Sequence, residues 1–235
     1  MPVIICRILF LVLLLLLLFS NGKLVAQNMN TPFYDLKPVH FGVFFGTDAA
    51  HFRYELSEDF YATDSVQRIN MVRYPGIQFG AISNFRLGEH FDLRFTPTLI
   101  LAQRGIEYTL NDTTPRSLKE IESVMVEAPL SIKFKSTRHR NIRYYILAGV
   151  KYGYDISSDA GSARNINKPE IYVYPHNYYY EYGFGLDLYF PYFKFSPELK
   201  LSRGLVNVLE PDRSIISRSF DKLFSQFWFI SLLFE

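Results

Sequence analysis

The stretch "YYYEYGFGLDLYFPYFKFSPELKLS", from Tyr178 to Ser202, decides the fold because large apolar side chains alternate in it with polar or small ones. A β-strand sends successive side chains to opposite faces, so this pattern gives each strand one apolar and one polar face. The stretch therefore predicts two β-strands joined by a tight turn near Pro191 and Tyr192. It also raises the question of which surroundings accept so many aromatic side chains on one face.

The same alternation recurs along the chain and predicts eight strands in all. The remaining segments that show it are "VHFGVFFG" (39–46), "PGIQFGAISNFRL" (75–87), "FDLRFTPTLIL" (91–101), "SVMVEAPLSIKFK" (123–135), "IRYYILAGVKYGYDI" (142–156) and "LFSQFWFISLLFE" (223–235). In the last segment both faces are apolar, and we expect Trp228, Ile230, Leu232 and Phe234 to form its lipid face.

The connections between these strands alternate between short and long. "LGEH", "RHR" and "PY" are short turns, whereas residues 47–73, 105–121, 157–175 and 207–222 form longer links. Short turns on one rim and long loops on the other are typical of outer-membrane barrels. We therefore predict an all-β, eight-stranded antiparallel transmembrane β-barrel of the outer-membrane type, with both termini periplasmic.

A membrane barrel also answers the question about the aromatic residues. Its apolar face contacts lipid, its polar face lines the lumen, and Tyr and Phe collect in girdles at the two water interfaces. We expect Tyr178 to Tyr182 in the outer girdle, and Tyr189, Phe190, Tyr192 and Phe193 in the inner one. The alternative is a soluble β-sandwich or lipocalin-type barrel, which the many aromatic residues on long strands disfavour.

The amino terminus carries a predicted signal peptide, residues 1–26. Arg7 precedes an apolar run from Ile8 to Phe19, which is too short to span a membrane as a helix. Residues 27–36 then form a short periplasmic segment, and residues 37–235 form the barrel domain. The single cysteine, Cys6, lies before the apolar run, so we expect neither a lipid anchor nor a disulfide bond.

The charged face of the strands predicts a filled lumen. An eight-stranded barrel is only just wide enough for its own side chains, and opposite charges in that space should pair. A hairpin centred on His139 would place Glu127 directly opposite Lys151. The predicted inward set comprises Asp92, Arg94, Glu127, Lys133, Lys135, Arg143, Lys151, Asp155, Glu181, Asp187, Lys194, Glu198 and Lys200.

Charge and motifs exclude several functions. Residues 1–26 hold two of the 25 basic and none of the 23 acidic residues, so the mature chain is neutral and lacks the excess of Lys and Arg that nucleic acid requires. The five histidines are scattered, and we predict no catalytic, cofactor or metal site, no cofactor and no small-molecule substrate.

Two alternatives stay open at the long-loop rim. The first is a small barrel for surface binding. The second, less favoured, is a lipid-modifying enzyme with a Ser and a His near this rim, for which His51, His176, Asp212 and Ser214 are the candidates. Residues 47–73 mix aromatic and acidic side chains, which is compatible either with a binding surface or with strands that extend beyond the membrane. We favour strand extension.

Three blocks of the sequence resemble the PorT/SprT family of outer-membrane proteins: "KPVHFGVFFG" (37–46), "ESVMVEAPLSIKFKSTRHRNIRYYILAGVKYGYDI" (122–156) and "YEYGFGLDLYFPYFKFSPELKLSRGLVNVL" (180–209). "YFKFSPELKLSRG" is the most specific part. The resemblance implies a non-enzymatic component required for type IX secretion, which exports proteins with a C-terminal sorting domain. It further implies contact with outer-membrane lipids and with other outer-membrane proteins of that system, and it implies no catalytic residue.

Overall fold

A computed structural model describes residues 29–57, 68–109, 117–157, 173–209 and 220–235 of the chain. The predicted signal peptide, residues 1–26, lies outside these ranges, as do Asp212 and Ser214. No helix in the described part of the chain is long and apolar enough to cross a membrane. The only described helical element of the amino-terminal segment is the 3₁₀ turn Tyr34–Leu36.

Nine β-segments follow one another and pair antiparallel with their neighbours. They are β1 (Val39–Leu56), β2 (Arg68–Arg86), β3 (Phe91–Phe95), β4 (Thr98–Thr109), β5 (Ser117–Lys135), β6 (Ile142–Asp155), β7 (His176–Tyr189), β8 (Lys194–Gly204) and β9 (Phe220–Phe234). Because β1 pairs with β9 as well as with β2, the sheet closes on itself. The prediction of an outer-membrane-type β-barrel is confirmed.

Segments β3 and β4 are two parts of one barrel strand. Both pair with β2 on one side and with β5 on the other, and they are separated only by Thr96 and Pro97. A proline has no amide hydrogen to donate to a β-ladder, so it interrupts the strand. Nine segments thus make eight positions around the barrel, as the alternation predicted.

The two rims differ as expected. Residues 87–90, 136–141 and 190–193 form the turns of the short-turn rim, where Glu235 and the segment 29–38 also lie. The opposite, long-link rim joins longer strands than predicted. Residues 47–56 and 68–73 belong to β1 and β2, which confirms that this part of the chain extends the strands.

The outer and inner faces follow the predicted alternation, with two exceptions among the tyrosines. Tyr178 and Tyr182 are exposed on the outer face, and so are Phe190, Tyr192 and Phe193 near the short-turn rim. Tyr179 and Tyr189 are buried inside the barrel, so assigning them to the girdles was wrong. Both have the parity of the luminal residues on β7, and this parity, not aromatic character, decides their direction.

Strand β9 has the predicted register. Trp228 and Ile230 are exposed on the outer face, whereas Phe227, Phe229 and Leu233 are buried inside the barrel. The inward phenylalanines pack with Tyr179, Met125 and Ile100 in an apolar cluster of the lumen, which explains why both faces of this strand are apolar.

Candidate functional site

All thirteen predicted luminal charges are buried inside the barrel. Asp48 and Arg104 are also buried in the lumen, and so is the side chain of Glu235. These three residues bring the described luminal charges to eight basic and eight acidic side chains. Most of these charges are paired in a space from which water is largely excluded, whereas both carboxylate oxygens of Asp48 lack a hydrogen-bond partner among the described residues.

Near the short-turn rim the charges form a network of neighbouring ion pairs. Lys133 Nζ lies 2.7 Å from Asp187 Oδ2, and Ser196 Oγ donates a hydrogen bond to the other carboxylate oxygen, Oδ1. Lys194 Nζ lies 2.9 Å from Glu235. In a further pair of the network, Lys135 contacts Asp92 at 2.6 Å.

Arg94 joins this network to the centre of the barrel, because its Nη2 atom lies 3.7 Å from Glu235 Oε1. Its guanidinium donates to Glu198 at 2.8 Å, and Tyr145 Oη donates to the same carboxylate oxygen at 2.8 Å. The Tyr145 ring lies against Gly185, where a Cβ atom would overlap it. Glycine at this position of β7 thus makes room for the aromatic side chain that completes the coordination of Glu198.

The centre of the lumen contains the predicted pair of Glu127 and Lys151. Lys151 Nζ lies 2.7 Å from Glu127 Oε2, and its charge also lies 4.8 Å from the centre of the Phe229 ring. The ion pair is confirmed, but the predicted register is wrong, because Glu127 is directly opposite Gly153 and Lys151 is opposite Pro129. The β5–β6 turn includes Arg140, whose φ is 55°. The path of this turn shifts the pairing of β5 with β6 by two residues.

Glu181 has two further contacts at the level of the Glu127–Lys151 pair. Glu181 accepts a hydrogen bond from Ser131 Oγ at 2.6 Å and lies 3.4 Å from Lys200 Nζ. Arg104 lies closer to the long-link rim, where it pairs with Asp155 at 3.5 Å and donates to Ser123 and Ser225. The ring of Phe52 lies 4.4 Å from this guanidinium.

An apolar cluster closes the lumen beyond Arg104. It consists of Phe52, Val208, Leu209, Phe220 and Leu223, all of which are buried. Backbone hydrogen bonds from Tyr174 to Val208 and from Val208 to Leu223 hold these segments together. The described residues therefore include an apolar closure at the long-link end of the lumen.

The amino-terminal segment closes the opposite end. Asp35 receives a bidentate contact from Arg143, at 2.8 and 3.1 Å, and a hydrogen bond from Tyr189 Oη at 3.2 Å. Arg138 donates to the backbone oxygens of Asn30 and Thr31. We call residues 30–36 the amino-terminal plug, because they bind across the short-turn rim.

Electrostatics stabilises the plug in its bound position. Burial raises the pKa of the Asp35 carboxyl group, but the charge and hydrogen bonds of Arg143 outweigh this effect and leave the pKa below its ordinary value. Burial, together with the Glu235 carboxylate, raises the pKa of Tyr34. The Tyr34 phenol thus stays protonated and donates to Glu235 at 3.1 Å.

Two cavities between these layers are small. One is lined by Arg104, Tyr179 and Val208, the other by Asp35, Asp92 and Lys194, and each has a volume of about 10 Å³. A volume of about 10–15 Å³ holds roughly one water molecule. With an apolar closure at one end and the plug at the other, the described lumen is packed with side chains.

The candidate catalytic histidines are not brought together. His51 on β1 and His176 on β7 both face outward, and β8 and β9 lie between their strands. His176 instead forms a 2.6 Å hydrogen bond with Tyr152 Oη. Within the described ranges no group of three or more His, Cys, Asp or Glu side chains is placed to hold a metal ion.

Sequence reasoning missed Asp48, Arg104 and the plug. Asp48 and Arg104 continue the inward parity of their strands, but both lie in stretches beyond the segments from which the strands were predicted. Extending the alternation past Gly46 and Leu101 would have found them. Nothing in residues 29–36 indicates that Asp35 binds Arg143, because that contact depends on a partner 108 residues away.

Comparison with known proteins identifies the fold independently. A family model described as "Outer membrane protein beta-barrel domain" matches residues 25–210. OprG of Pseudomonas aeruginosa is 10% identical with a TM-score of 0.47, and the match covers 83% of this chain and 93% of OprG. Ail of Yersinia pestis, solved with a heparin analogue, is 12% identical with a TM-score of 0.38, and that match covers 84% and 99%. No curated protein matches the chain.

Proposed function

The chain belongs to the outer membrane protein beta-barrel domain family, and we propose that this bacterial outer-membrane barrel is a non-enzymatic component required for type IX protein secretion. Its role there is to assemble or stabilise the translocon, and it is not the conduit for cargo. In this proposal both termini are periplasmic, and the long-link rim faces the cell exterior. The assignment to type IX secretion rests on the resemblance of residues 37–46, 122–156 and 180–209 to the PorT/SprT family.

The observation that carries the non-conduit role is the packed lumen. Buried ion pairs such as Lys133–Asp187 and Arg94–Glu198 cross the interior, and the plug and an apolar cluster close its two ends. Opening such a lumen to a polypeptide would separate several buried charges, which is strongly unfavourable. Interaction with other proteins is therefore left to the rims and the outer face.

Deleting the gene tests the assignment to secretion. Sorting-domain cargo is measured in the medium and in the periplasm of the deletion strain and of a strain complemented with the parent gene. We expect cargo to accumulate in the periplasm and complementation to release it. The amount of an unrelated outer-membrane protein serves as a control for general damage to the membrane, and unchanged secretion would exclude the proposed function.

Site-specific cross-linking tests the assembly role separately. Ile230 is exposed on the outer face of β9, and its neighbour Ser231 is buried in the lumen. A photoactivatable reagent on Ile230→Cys should capture other secretion proteins, whereas Ser231→Cys should capture none. If cargo is retained in the deletion strain but systematic outward cross-linking finds no secretion protein, the barrel is required but does not act by assembly.

A further inference from the structure

The apolar outer face of four neighbouring strands ends at one level near the long-link rim. On β9 the outward residues Ile230 and Trp228 are followed toward that rim by Gln226. On β1 the outward positions pass from Ala49 to His51. The stretch of β1 before this point, residues 41–49, has no charged side chain on its outer face and has the length expected of a membrane-spanning strand, about 9–11 residues.

On strands β8 and β2 the outward side chains also change from apolar to basic at this level. On β8 the outward side chains pass from Leu201 to Arg203. On β2 they pass from Ile77 through Pro75 to Arg73. All four strands therefore leave the lipid-facing belt with a polar or basic side chain.

The register places these four residues side by side. Gln226 pairs with Arg203 on one side and with His51 on the other. Ala50 pairs with Tyr74, which brings the preceding residue of β2, Arg73, next to His51. We call Arg73, His51, Gln226 and Arg203 the basic row.

The basic row contains no carboxylate. The nearest outward acid on these strands is Glu55, which pairs with Lys222 at 2.9 Å. Arg53 adds a further positive charge one step beyond the row, where it lies over the Phe224 ring. By contrast, the outward face of the β4–β5 pair carries Glu122 opposite Gln103.

Two nitrogen atoms of the row have no hydrogen-bond partner among the described residues. They are Nε of Arg203 and Nδ1 of His51, which flank Gln226 on either side. A polar atom without a hydrogen-bond partner at a buried position is unfavourable unless a ligand or solvent supplies one. Both residues lie at the level where the apolar outer face ends, and the Arg203 side chain also forms a hydrogen bond with Tyr180 on β7.

We propose that the basic row binds the phosphate group of an anionic lipid in the leaflet on the long-link side. Arginine guanidinium groups bind phosphate oxygens through paired, charge-assisted hydrogen bonds. Trp228, which is exposed on the outer face directly below the row, contacts the acyl chains of the same lipid. The occupant is thus a lipid with a phosphorylated headgroup, anchored by charge above and by apolar contact below.

The single tryptophan of the chain, Trp228, provides the measurement. The full mature protein, folded in detergent, is titrated with bis-phosphorylated lipid A while Trp228 emission is recorded. We expect a saturable change that inorganic phosphate alone does not produce. Arg203→Gln should weaken the apparent affinity by about tenfold, the effect of losing one charge-assisted hydrogen bond, and Arg203→Lys should restore part of it.

Lys37→Gln is the matched control, since it removes one exposed positive charge at the opposite rim and should leave the affinity unchanged. Arg73→Gln replaces Arg203→Gln if that variant does not fold. The proposal is overturned if lipid A with both phosphates removed changes Trp228 emission with the same affinity. It is also overturned if inorganic phosphate alone gives the saturable change, or if the arginine variants bind as tightly as the Lys37 control.

Discussion

Lys151 reaches Glu127 diagonally across the β5–β6 pair, with 2.7 Å between Nζ and Oε2, although the Cα partner of Glu127 is Gly153. A Cβ atom at position 153 would lie 3.2 Å from the Tyr179 ring and 3.6 Å from the Glu127 side chain, so the tighter constraint at this glycine comes from Tyr179. Diagonal neighbours on one face of an antiparallel pair lie within reach of long side chains. The pairing of opposite charges in the lumen therefore does not depend on the register that the sequence predicted.

Glu127→Ala should destabilise the barrel by about 3–5 kcal/mol, because it leaves the Lys151 ammonium buried without its partner. The measurement is equilibrium unfolding by urea of the detergent-solubilised protein. Glu55→Ala is the control, since its partner Lys222 is exposed and the change should not be measurable. Equal unfolding midpoints for Glu127→Ala and the parent protein would contradict the role of this pair.

The alternation of side chains was enough to predict which residues line the lumen. Period-two alternation fixes the direction of each side chain once a strand is recognised, so the direction of Lys133, Glu181 and Lys200 follows from local sequence. In β9 both parities are apolar, so alternation alone did not decide the outward direction that was chosen for Trp228 and that the structure confirms. The luminal predictions needed no knowledge of how strands pair.

The features that could not be predicted depend on contacts between distant parts of the chain. Arg143 and Tyr189 bind the carboxylate of Asp35, and no local pattern in residues 29–36 encodes that arrangement. Asp48 and Arg104 are a different case, because the alternation continues through both positions and was not followed far enough along β1 and β4. The register of the β5–β6 pair depends on the path of its turn, and composition alone does not determine that path.

The buried pair of Lys133 and Asp187 should behave non-additively. Asp187→Leu leaves a buried ammonium and should be strongly destabilising, whereas the double variant Lys133→Met/Asp187→Leu replaces both charges with apolar groups and should be more stable than either single variant. Urea unfolding of the four proteins measures the coupling. If the losses in free energy of unfolding of the two single variants add up to the loss of the double variant, the two charges act independently.

Single-cysteine labelling should confirm the direction of β9 in a membrane. Trp228→Cys places a thiol on the lipid-facing side, and Phe229→Cys places one in the packed lumen. The mature chain has no other cysteine if residues 1–26 are removed. We expect a lipid-soluble maleimide to label position 228 much faster than position 229 in folded protein, and both positions equally in urea. Faster labelling at 229 in the folded protein would reverse the assignment.

Binding of the amino-terminal plug should be lost in acid. The folded-state pKa of Asp35 lies below its ordinary value, so its ion pair with Arg143 contributes fully above about pH 4 and disappears as the pH falls through the lower, folded-state pKa. A fluorophore on Phe33→Cys, an exposed position of the plug, should show high anisotropy at neutral pH and low anisotropy below that range.

Asp35→Asn provides the comparison, because it removes the charge at every pH. The labelled Asp35→Asn protein should show reduced anisotropy at neutral pH and little further change in acid. Anisotropy that falls equally in both proteins on acidification would show that other groups hold the plug.

The lumen should conduct no steady ionic current even without the plug. Deleting residues 29–36 removes the closure at the short-turn rim, but the pairs Arg94–Glu198 and Glu127–Lys151 and the apolar cluster around Phe52 still occupy the interior. In planar lipid bilayers, the parent and the deletion variant should therefore both lack stable open-channel steps, and a porin inserted under the same conditions serves as the positive control. A steady conductance in the deletion variant alone would make the plug the gate of a continuous channel, and one in the parent would restore the barrel as a candidate conduit.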